Sequence, residues 1–374
     1  TKSAAACSRD GTAAFRNTFS AMAAPSAADT AANSRLPAFL RQSKADIHNK
    51  FVDLEWQQRN RLLQGTQIPV SDAGSPSQWS RLGGDVVMAR NRYLNVEPFA
   101  SNRIKLKVAE GMSDYINASP IRLGKRRYIA TQGPKDTNVS HFWRMVAEEV
   151  RGNSGVVVML TQTHESGKEK CFQYYPLSQQ ESPLVLSDEQ DVADGFSGDV
   201  KLLSVEPDIG SRSEVRRLRL RTGDGAGIAA PQEKEIHHLL FSGWPDFLIP
   251  EGEDREALIH LIRLSARLNR GPSSNSAAHT NGSSAAEDFS STDQDNPRII
   301  HCSAGVGRSG TFIALDYLLS LMYAGELDNV PADADPIAET VDLLRQQRMM
   351  MVQGESQFNF LYEVLKEQFL ARLV

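Results

Sequence analysis

Hydrophobic residues along this chain change their spacing several times, and each change predicts a different element. From Lys44 onward, apolar residues recur at near-helical spacing with charged residues between them, which predicts an amphipathic helix. These apolar residues are Ile47, Phe51, Leu54 and Leu62. Further helical patterns occupy residues 258–264 and 313–321.

Continuous and alternating apolar runs predict strands. Residues 155–160 form an unbroken apolar run, which is typical of a strand buried on both faces, and residues 142–146 before it predict a helix that packs on this strand. Alternation over residues 201–205 and 218–221 predicts antiparallel strands with one face in water. Short strands are also expected at residues 103–108 and 114–117.

Two stretches lack any such periodicity. Residues 1–43 are rich in Ala, Ser and Thr, and we expect them to form a disordered N-terminal arm, with an organelle-targeting remnant as the alternative. Residues 271–297 contain almost no large apolar residue and are expected to be a flexible insertion within the domain. The folded domain is therefore expected to span residues 44–374.

Composition and charge exclude several classes of protein. A net charge of −5 does not suggest a general nucleic-acid binder. The three cysteines are far apart and lack metal-ligand spacing, which indicates a reducing compartment and argues against a disulfide framework or a zinc site. We also expect no membrane span, because the apolar run at residues 312–324 is short and contains Asp316.

The strongest chemical signal is the sequence His-Cys-Ser-Ala-Gly-Val-Gly-Arg-Ser-Gly at residues 301–310. Between Cys302 and Arg308 lie five residues, mostly small: Ser303, Ala304, Gly305, Val306 and Gly307. Small side chains allow such a segment to close into a loop whose backbone N–H groups point inward. A helix that begins there adds partial positive charge, and Arg308 adds a planar fork of donors for two phosphoryl oxygens.

Cys302 is the candidate nucleophile, because the field of this loop stabilises a thiolate. A buried structural cysteine is the alternative, but it does not explain Arg308 and the glycines. An accessible thiolate is also readily oxidised to sulfenic acid, which predicts a redox-sensitive site. Ser309 could donate its hydroxyl to the sulfur, cap the helix or do both. His301 either orients the loop or is a structural core residue.

The order of these elements predicts an α/β fold. We expect a single domain with a central, highly twisted mixed β-sheet flanked by helices, and the cysteine phosphate-binding loop lies between a strand and a helix.

Other segments accompany the loop in a defined order. They are Asn91-Arg92-Tyr93, residues 114–119, residues 128–134, Trp244-Pro245-Asp246, residues 346–353 and Gln357. In this order and at these separations, the set resembles the catalytic domain of the phosphotyrosine-specific protein tyrosine phosphatases, over about residues 46–373. The Ser/Ala-rich insertion and arm resemble those of fungal, non-receptor members.

The resemblance implies roles for residues outside the loop. Asp246 is expected to be the general acid on a mobile segment flanked by Trp244 and Pro245, although an ordinary Pro-Asp turn is the alternative. Gln353 is expected to position the hydrolytic water, with Gln357 one helical turn further on.

The resemblance also implies how substrate is held. Tyr93 is expected to stack on the substrate ring and to make the pocket too deep for phosphoserine, with a core tyrosine as the alternative. Asn95 stands where many members carry aspartate to hold the peptide backbone, so we expect recognition less tuned to acidic peptides. Glu165 is expected to pair with Arg308, and Lys170 to contact the segment that carries Asp246.

The expected function is hydrolysis of phosphotyrosine in proteins through a phosphocysteine intermediate, without metal or cofactor. A dual-specificity or phosphoinositide phosphatase is the alternative, and a phosphotyrosine-binding module derived from an inactive phosphatase is a further one. Expected partners are phosphotyrosine-containing proteins, signalling kinases among them. The expected location is the cytoplasm or the nucleus.

Overall fold

A computed structural model describes residues 24–66, 77–187, 193–224, 230–271, 285–290 and 294–374. Its α-helices are α1 (Ala27–Asn33), α2 (Lys44–Thr66), α3 (Asp85–Arg90), α4 (Val139–Glu149), α5 (Glu253–Asn269), α6 (Ala285–Ser290), α7 (Gly307–Tyr323), α8 (Pro336–Gln347) and α9 (Glu355–Arg372). Its strands are β1 (Ala118–Leu123), β2 (Arg126–Thr131), β3 (Ser154–Met159), β4 (His164–Glu165), β5 (Lys168–Glu169), β6 (Leu184–Leu186), β7 (Phe196–Asp208), β8 (Ser213–Asp224), β9 (Gln232–Phe241) and β10 (Arg298–His301).

Within these described ranges, eight strands form one mixed sheet in the order β1-β2-β10-β3-β9-β8-β7-β6, and β4 and β5 form a separate hairpin. β10 lies near the centre and pairs in parallel with both β2 and β3. All four of its residues are buried. A central parallel strand needs helices over both faces, which matches the α/β fold expected from the sequence.

Alternate residues of β10 belong to the two cores on either side of the sheet. Ile299 packs in a cluster with Phe142 and Trp143 of α4. Ile300 packs in the other cluster, with Phe312 of α7 and residues of α5, α8 and α9. Because both faces are covered, β10 and the loop that follows it are held from two sides.

The N-terminal boundary differs from the sequence prediction of an arm through residue 43. Residues 27–33 form α1, and Leu36, Phe39 and Leu40 are buried in the core cluster that contains α7 and α9. These apolar residues form a cluster too short to show periodicity, so only their tertiary contacts reveal them. Residues 1–23 of the expected arm lie outside the described residues.

The expected flexible insertion also contains folded structure. Within residues 271–297, α6 places the buried Asp288 against Arg263, Arg267 and Arg270. Burial acts to raise the pKa of Asp288, but hydrogen bonds and charges from Arg267 and Arg263 outweigh it, and the pKa falls below its ordinary value. Residues 272–284 and 291–293 of the insertion lie outside the described residues.

A contact between two aromatic rings also holds α6 against α7. The Phe289 ring stacks on the Tyr323 ring of α7, with centroids 5.1 Å apart and planes within 4°. α6 therefore bridges α5 and α7, although its low-complexity sequence gave no sign of this contact.

Most strand and helix predictions are confirmed, and two are wrong. The predicted helices that begin at Lys44 and at residue 142 correspond to α2 and α4, and the predicted buried strand is β3. Residues 103–108 and 114–117 do not form strands; a single bridge joins Lys105 to Tyr115. In the described part of the chain, no helix is long and apolar enough to cross a bilayer.

Candidate active site

The cysteine loop lies between the carboxyl end of β10 and the first turn of α7. The helix begins at Gly307, earlier than the sequence pattern indicated, so Arg308 lies in its first turn. Gly305 has φ +78°, and a Cβ at this position would lie 2.3 Å from the Thr131 carbonyl oxygen. Only glycine adopts this φ at low cost and also leaves room for the Thr131 carbonyl, so this position of the loop requires glycine.

The carbonyl groups of the loop are turned toward the surrounding protein. Ser303 accepts from the Gly133 amide at 2.9 Å, and Val306 accepts from the Val352 and Gly310 amides at 3.1 and 3.0 Å. Because these carbonyls are bonded to other segments and to α7, the arrangement is compatible with loop N–H groups that face an anion.

Arg348 holds two more of these carbonyls, a role that sequence reasoning missed. Its Nε donates to Gly305 at 2.9 Å and its Nη2 to Ala304 at 3.0 Å. Its remaining contacts are Ser119 Oγ and Asn117 Oδ1, at 3.0 and 2.8 Å. Burial lowers the pKa of Arg348 to about 10. A lone arginine before the apolar run at residues 349–352 was the available signal.

Cys302 directly follows β10 and is 3% exposed, and its sulfur has two hydrogen-bond donors. It accepts hydrogen bonds from the Gly305 amide at 3.3 Å and from Ser309 Oγ at 3.2 Å. Both bonds stabilise negative charge on sulfur. The alternative interpretation of Ser309 as a helix cap is wrong, because Val306 is the N-cap residue of α7 and the serine hydroxyl contacts the sulfur instead.

Arg308 is fully buried, and one of its terminal nitrogens, Nη1, makes two hydrogen bonds. Its Nη1 donates to Glu165 Oε1 at 2.7 Å and to the Trp244 carbonyl at 2.9 Å. Within the described part of the chain, its Nε has no hydrogen-bond acceptor, and its Nη2 is ion-paired with Asp246 Oδ1. Burial acts to lower the pKa of Arg308, but Cys302, Asp246 and Glu165 outweigh it and raise that pKa. The edge of the guanidinium formed by Nε and Nη2 is thus the part that can donate to the oxygens of an anion.

The carboxyl group of Asp246 lies beside this fork. Its Oδ1 is 3.2 Å from Arg308 Nη2, and its Oδ2 accepts from Lys170 Nζ at 2.9 Å. The hydrogen bond to Asp246 raises the pKa of Lys170. Trp244 Nε1 donates to the Leu248 carbonyl at 2.9 Å and so closes the segment around Pro245. These contacts bring the residue expected to be the acid into the same site as the nucleophile.

Two residues of the predicted substrate-recognition segment differ in their contacts with the cysteine loop. Tyr93 is half-buried, and its hydroxyl is 2.7 Å from Ser303 Oγ. Ser303 Oγ in turn donates to the Lys170 carbonyl at 2.8 Å. Asn95 is exposed and makes no contact with the loop among the hydrogen bonds of the described residues.

The two glutamines lie behind Gly307. Gln353 precedes α9, and Gln357 lies in its first turn. A Cβ on Gly307 would lie 3.1 Å from Gln357 Oε1 and 3.3 Å from Gln353 Oε1. Both amides therefore lie close to Gly307, and Gln357 Nε2 also donates to the Leu248 carbonyl at 3.4 Å.

His301 connects the loop to a buried chain of polar groups. Its Nδ1 is 3.0 Å from the Cys302 carbonyl and its Nε2 is 2.6 Å from the Tyr174 hydroxyl. That hydroxyl is also 2.8 Å from His238 Nε2. Burial lowers the pKa of His301 to about 4 and that of His238 well below its ordinary value. The sequence did not indicate Tyr174 or His238.

The Cys302 carbonyl at the end of this series of hydrogen bonds fixes which groups donate and which accept. A carbonyl only accepts, so His301 Nδ1 must donate, and the neutral ring must then accept at Nε2. Tyr174 therefore donates to His301 and accepts from His238. His301 is thus a buried residue that also donates to the loop backbone, which is compatible with both interpretations left open by the sequence. Among the described residues, no group of three or more His, Cys, Asp or Glu side chains is placed to hold a metal ion.

A family model described as protein-tyrosine phosphatase matches residues 87–367. The chain belongs to the protein tyrosine phosphatase family. This tyrosine phosphatase is 33% identical over 326 residues to tyrosine-protein phosphatase 2 of Schizosaccharomyces pombe, in a match that covers 86% of this chain and 39% of that relative. It is 31% identical over 359 residues to tyrosine-protein phosphatase 1 of Saccharomyces cerevisiae, covering 88% of this chain and 96% of that relative.

The fold is also similar to that of a solved tyrosine phosphatase. The crystal structure of the catalytic domain of human protein tyrosine phosphatase non-receptor type 18 matches with a TM-score of 0.62 at 25% identity. The match covers 89% of this chain and 99% of that one. The predicted family and the predicted mixed α/β fold class are therefore confirmed.

Proposed function

We propose that this tyrosine phosphatase hydrolyses phosphotyrosine in proteins through a phosphocysteine intermediate, with no metal or cofactor. The observation that supports it most is the convergence of three groups: the Cys302 sulfur, the Nε and Nη2 edge of Arg308 and the Asp246 carboxyl group. A nucleophile, an oxyanion clamp and a proton donor are what transfer of a phosphoryl group to sulfur requires.

In the first step, the Cys302 thiolate attacks phosphorus in line with the tyrosine oxygen. The S–P bond forms as the P–O bond to tyrosine breaks, and loop amides with Arg308 Nε and Nη2 stabilise the equatorial oxygens. Asp246 gives its proton to the leaving oxygen, because a free tyrosinate with a pKa near 10 leaves poorly. Binding of the phosphoryl group to Arg308 also weakens the pairing of that arginine with Asp246.

In the second step, a water molecule positioned by Gln353 attacks the phosphocysteine. Asp246 accepts its proton, the S–P bond breaks, and inorganic phosphate leaves. The sulfur departs as a thiolate, and Ser309 Oγ is in position to donate a hydrogen bond to it. Glu165 holds Arg308 in place during both steps.

Selection of phosphotyrosine is assigned to the depth of the pocket. The Tyr93 hydroxyl lies 2.7 Å from Ser303 Oγ, next to Cys302 in the chain, which supports Tyr93 as an aromatic wall of the pocket. A substrate must extend past that wall to reach Cys302, which favours phosphotyrosine over the shorter phosphoserine and phosphothreonine. We further propose signalling kinases among the substrates and the cytoplasm or nucleus as the location.

Substitution of the nucleophile and of the acid tests this function. We expect Cys302→Ser to lower kcat/KM on a phosphotyrosine peptide by on the order of 10⁴-fold or more. Asp246→Ala should lower kcat by about 10²- to 10⁴-fold with substrate binding retained, since general acid catalysis contributes that much. Steady-state kinetics and peptide binding by calorimetry measure both effects.

Three substrates separate the alternatives. The wild-type chain should hydrolyse a phosphotyrosine peptide and leave a matched phosphothreonine peptide and an inositol phospholipid almost intact. Comparable rates on the threonine peptide or the lipid would assign the chain to a dual-specificity or phosphoinositide phosphatase instead. Full activity of Asp246→Ala on the tyrosine peptide would remove this residue from the mechanism.

A further inference from the structure

The short helix α6 is attached to the domain by one buried carboxylate. The Asp288 side chain is fully buried, and its oxygens lie 2.9 Å from Arg263 Nη2, 3.3 Å from Arg267 Nη2 and 3.3 Å from Arg270 Nη2. These arginines follow one another along one face of α5 and at its end. A carboxylate is buried at acceptable cost only where cations compensate for its lost hydration, so Asp288 fixes where α6 lies.

The next residue of α6 contacts a second cluster of charges. The Phe289 carbonyl accepts from Arg126 Nη1 of β2 at 3.4 Å. Arg126 Nε and Nη2 donate to the two carboxylate oxygens of Asp316 on α7, at 2.8 and 3.1 Å. Arg298 Nη2 of β10 donates to the same carboxylate at 2.6 Å. The Phe289 carbonyl therefore supplies an acceptor to a buried group of two arginines and one aspartate.

This second cluster joins the two elements that hold the cysteine loop. Arg298 is the first residue of β10, the strand that directly precedes Cys302. Asp316 lies on α7, the helix whose first turn contains Arg308. Arg298 Nη1 also donates to Ser265 Oγ of α5 at 2.8 Å. The strand before the loop, the helix after it and the helix that binds α6 are thus connected through buried polar groups.

Removal of the Asp288 charge would disturb this connection from α5. Three guanidinium groups of like charge would remain on one face of that helix, and their repulsion would oppose its present packing. The same helix carries Ser265, which holds Arg298. Release of α6 would also take the Phe289 carbonyl from Arg126. Both effects act on the Arg298–Asp316 ion pair, because each removes a contact from one of its neighbours.

We propose that Asp288 is a positioning residue for the cysteine loop. By docking α6 on α5, it keeps Arg126, Asp316 and Arg298 in the arrangement that fixes β10 against α7. The inserted helix thereby sets the catalytic activity of a site to which it contributes no side chain. This inference rests on the proposed function of that loop and adds a control of its activity from the insertion.

Asp288→Asn in the full chain tests this role, at a temperature where circular dichroism shows every variant to be folded. We expect kcat/KM for p-nitrophenyl phosphate to fall about three- to tenfold, the usual range for a residue that acts on a site through other groups. Alkylation of Cys302 by iodoacetate at pH 7, followed by mass spectrometry, should slow as well. A merely structural role would lower the melting temperature and leave both rates of the folded protein unchanged.

Two further variants of aspartate residues control for the substitution itself. Asp288→Glu keeps the negative charge and should restore most of the activity. Asp295→Asn is the matched control, because Asp295 belongs to the same insertion but forms exposed ion pairs with Arg127 and Arg151. We expect its kcat/KM to equal that of the wild-type chain.

Removal of the ring contact releases α6 without a change of charge. Tyr323→Leu removes the ring that stacks on Phe289 and should lower kcat/KM and the alkylation rate in the same direction as Asp288→Asn. Tyr323→Phe keeps that ring, loses only the hydroxyl that lies 3.3 Å from Gln368 Oε1, and should be fully active. Hydrogen exchange should be faster at residues 285–290 in Tyr323→Leu and in Asp288→Asn than in the wild-type chain.

Three outcomes would overturn the proposal. The first is faster exchange at residues 285–290 with unchanged kcat/KM and alkylation rate, and the second is unchanged exchange there in Asp288→Asn. The third applies if Asp288→Asn fails to fold: full activity of a folded Tyr323→Leu chain would then exclude control by α6. Absence of p-nitrophenyl phosphate hydrolysis in the wild-type chain would contradict the proposed function instead, and the alkylation rates would still test the role of Asp288.

Discussion

Ser309 contacts the nucleophile from the helix behind the loop. Its hydroxyl lies 3.2 Å from the Cys302 sulfur, and the bond it donates is strongest when the sulfur carries negative charge. In the proposed cycle, this charge returns to the sulfur when the phosphocysteine is hydrolysed. The hydroxyl should therefore matter more for the second chemical step than for the first.

Ser309→Ala tests this assignment. We expect kcat to fall by about 10- to 100-fold, because a hydrogen bond to a charged group contributes about 1.5–3 kcal/mol. Slower hydrolysis of the intermediate should produce a burst of p-nitrophenolate equal to the enzyme concentration in stopped-flow measurements. Ser320→Ala, the same change further along α7, is the control. A kcat loss without a burst would place the role of Ser309 before the intermediate.

His301 links the stability of the fold to pH. Its pKa is about 4 in the folded chain because burial disfavours the charged ring, against an ordinary value near 6.5. Below pH 6.5 the unfolded chain binds a proton that the folded chain does not, so stability is lost as the pH falls from about 6.5 to about 4. His238, whose pKa is also lowered by burial, acts in the same direction.

We expect His301 alone to contribute a loss of about 3 kcal/mol in the free energy of unfolding across this range. Urea denaturation at pH 7.5 and pH 4.5 measures it. His301→Asn, which keeps a donor for the Cys302 carbonyl but does not titrate, should show a smaller loss than the wild-type chain. An identical loss in both proteins would remove His301 from the effect.

At the scale of elements, the cysteine loop depends on different glycines for different reasons. Gly305 is required by its positive φ and by the Thr131 carbonyl 2.3 Å from a Cβ position. Gly307 has no such backbone demand; a Cβ there meets only the flexible amides of Gln357 and Gln353 at 3.1 and 3.3 Å. One position supports the shape of the loop, and the other makes room for side chains behind it.

Alanine at each position should separate these effects. Gly305→Ala should lower the free energy of unfolding by about 1–3 kcal/mol and abolish phosphatase activity, because the loop cannot keep its backbone path. Gly307→Ala should leave the melting temperature nearly unchanged and lower kcat, since it displaces the glutamines. Equal losses of stability in both variants, measured by thermal denaturation, would contradict this division.

The parts of the site that could be predicted from the sequence are those whose residues are close together in the chain. The spacing of Cys302, Arg308 and the glycines predicted an anion-binding loop, and the apolar patterns on either side of it predicted a strand before the loop and a helix after it. Arg348, Tyr174 and His238 were missed because they act on the loop from distant parts of the chain. A buried arginine that holds two carbonyls leaves no periodic trace in the sequence, so only the fold reveals it.

At the scale of the whole molecule, residues before the first predicted helix are part of the domain. Phe39 is 2% exposed and lies in the same core cluster as Phe312 of α7, the helix that carries Arg308. The sequence prediction began the domain at residue 44 because the segment before it lacks periodicity. Burial of isolated apolar residues depends on what they meet in three dimensions, which no local pattern contains.

Phe39→Ala should therefore destabilise the catalytic domain itself. We expect a loss of about 3–5 kcal/mol in the free energy of unfolding, the usual cost of removing a buried phenylalanine. Phe172→Ala, at a side chain that is 37% exposed, is the control and should cost much less. Urea denaturation measures both, and a Phe39→Ala chain as stable as wild type would restore the boundary at residue 44.

The buried guanidinium of Arg308 has a consequence for how the enzyme responds to its surroundings. A tetrahedral oxyanion bound at its Nε and Nη2 edge gains charge-assisted hydrogen bonds that the unfolded chain does not offer. Orthophosphate, which the reaction itself releases, is such an ion. The melting temperature and the degree of product inhibition should then rise together as orthophosphate accumulates, because both depend on occupancy of the same anion-binding site.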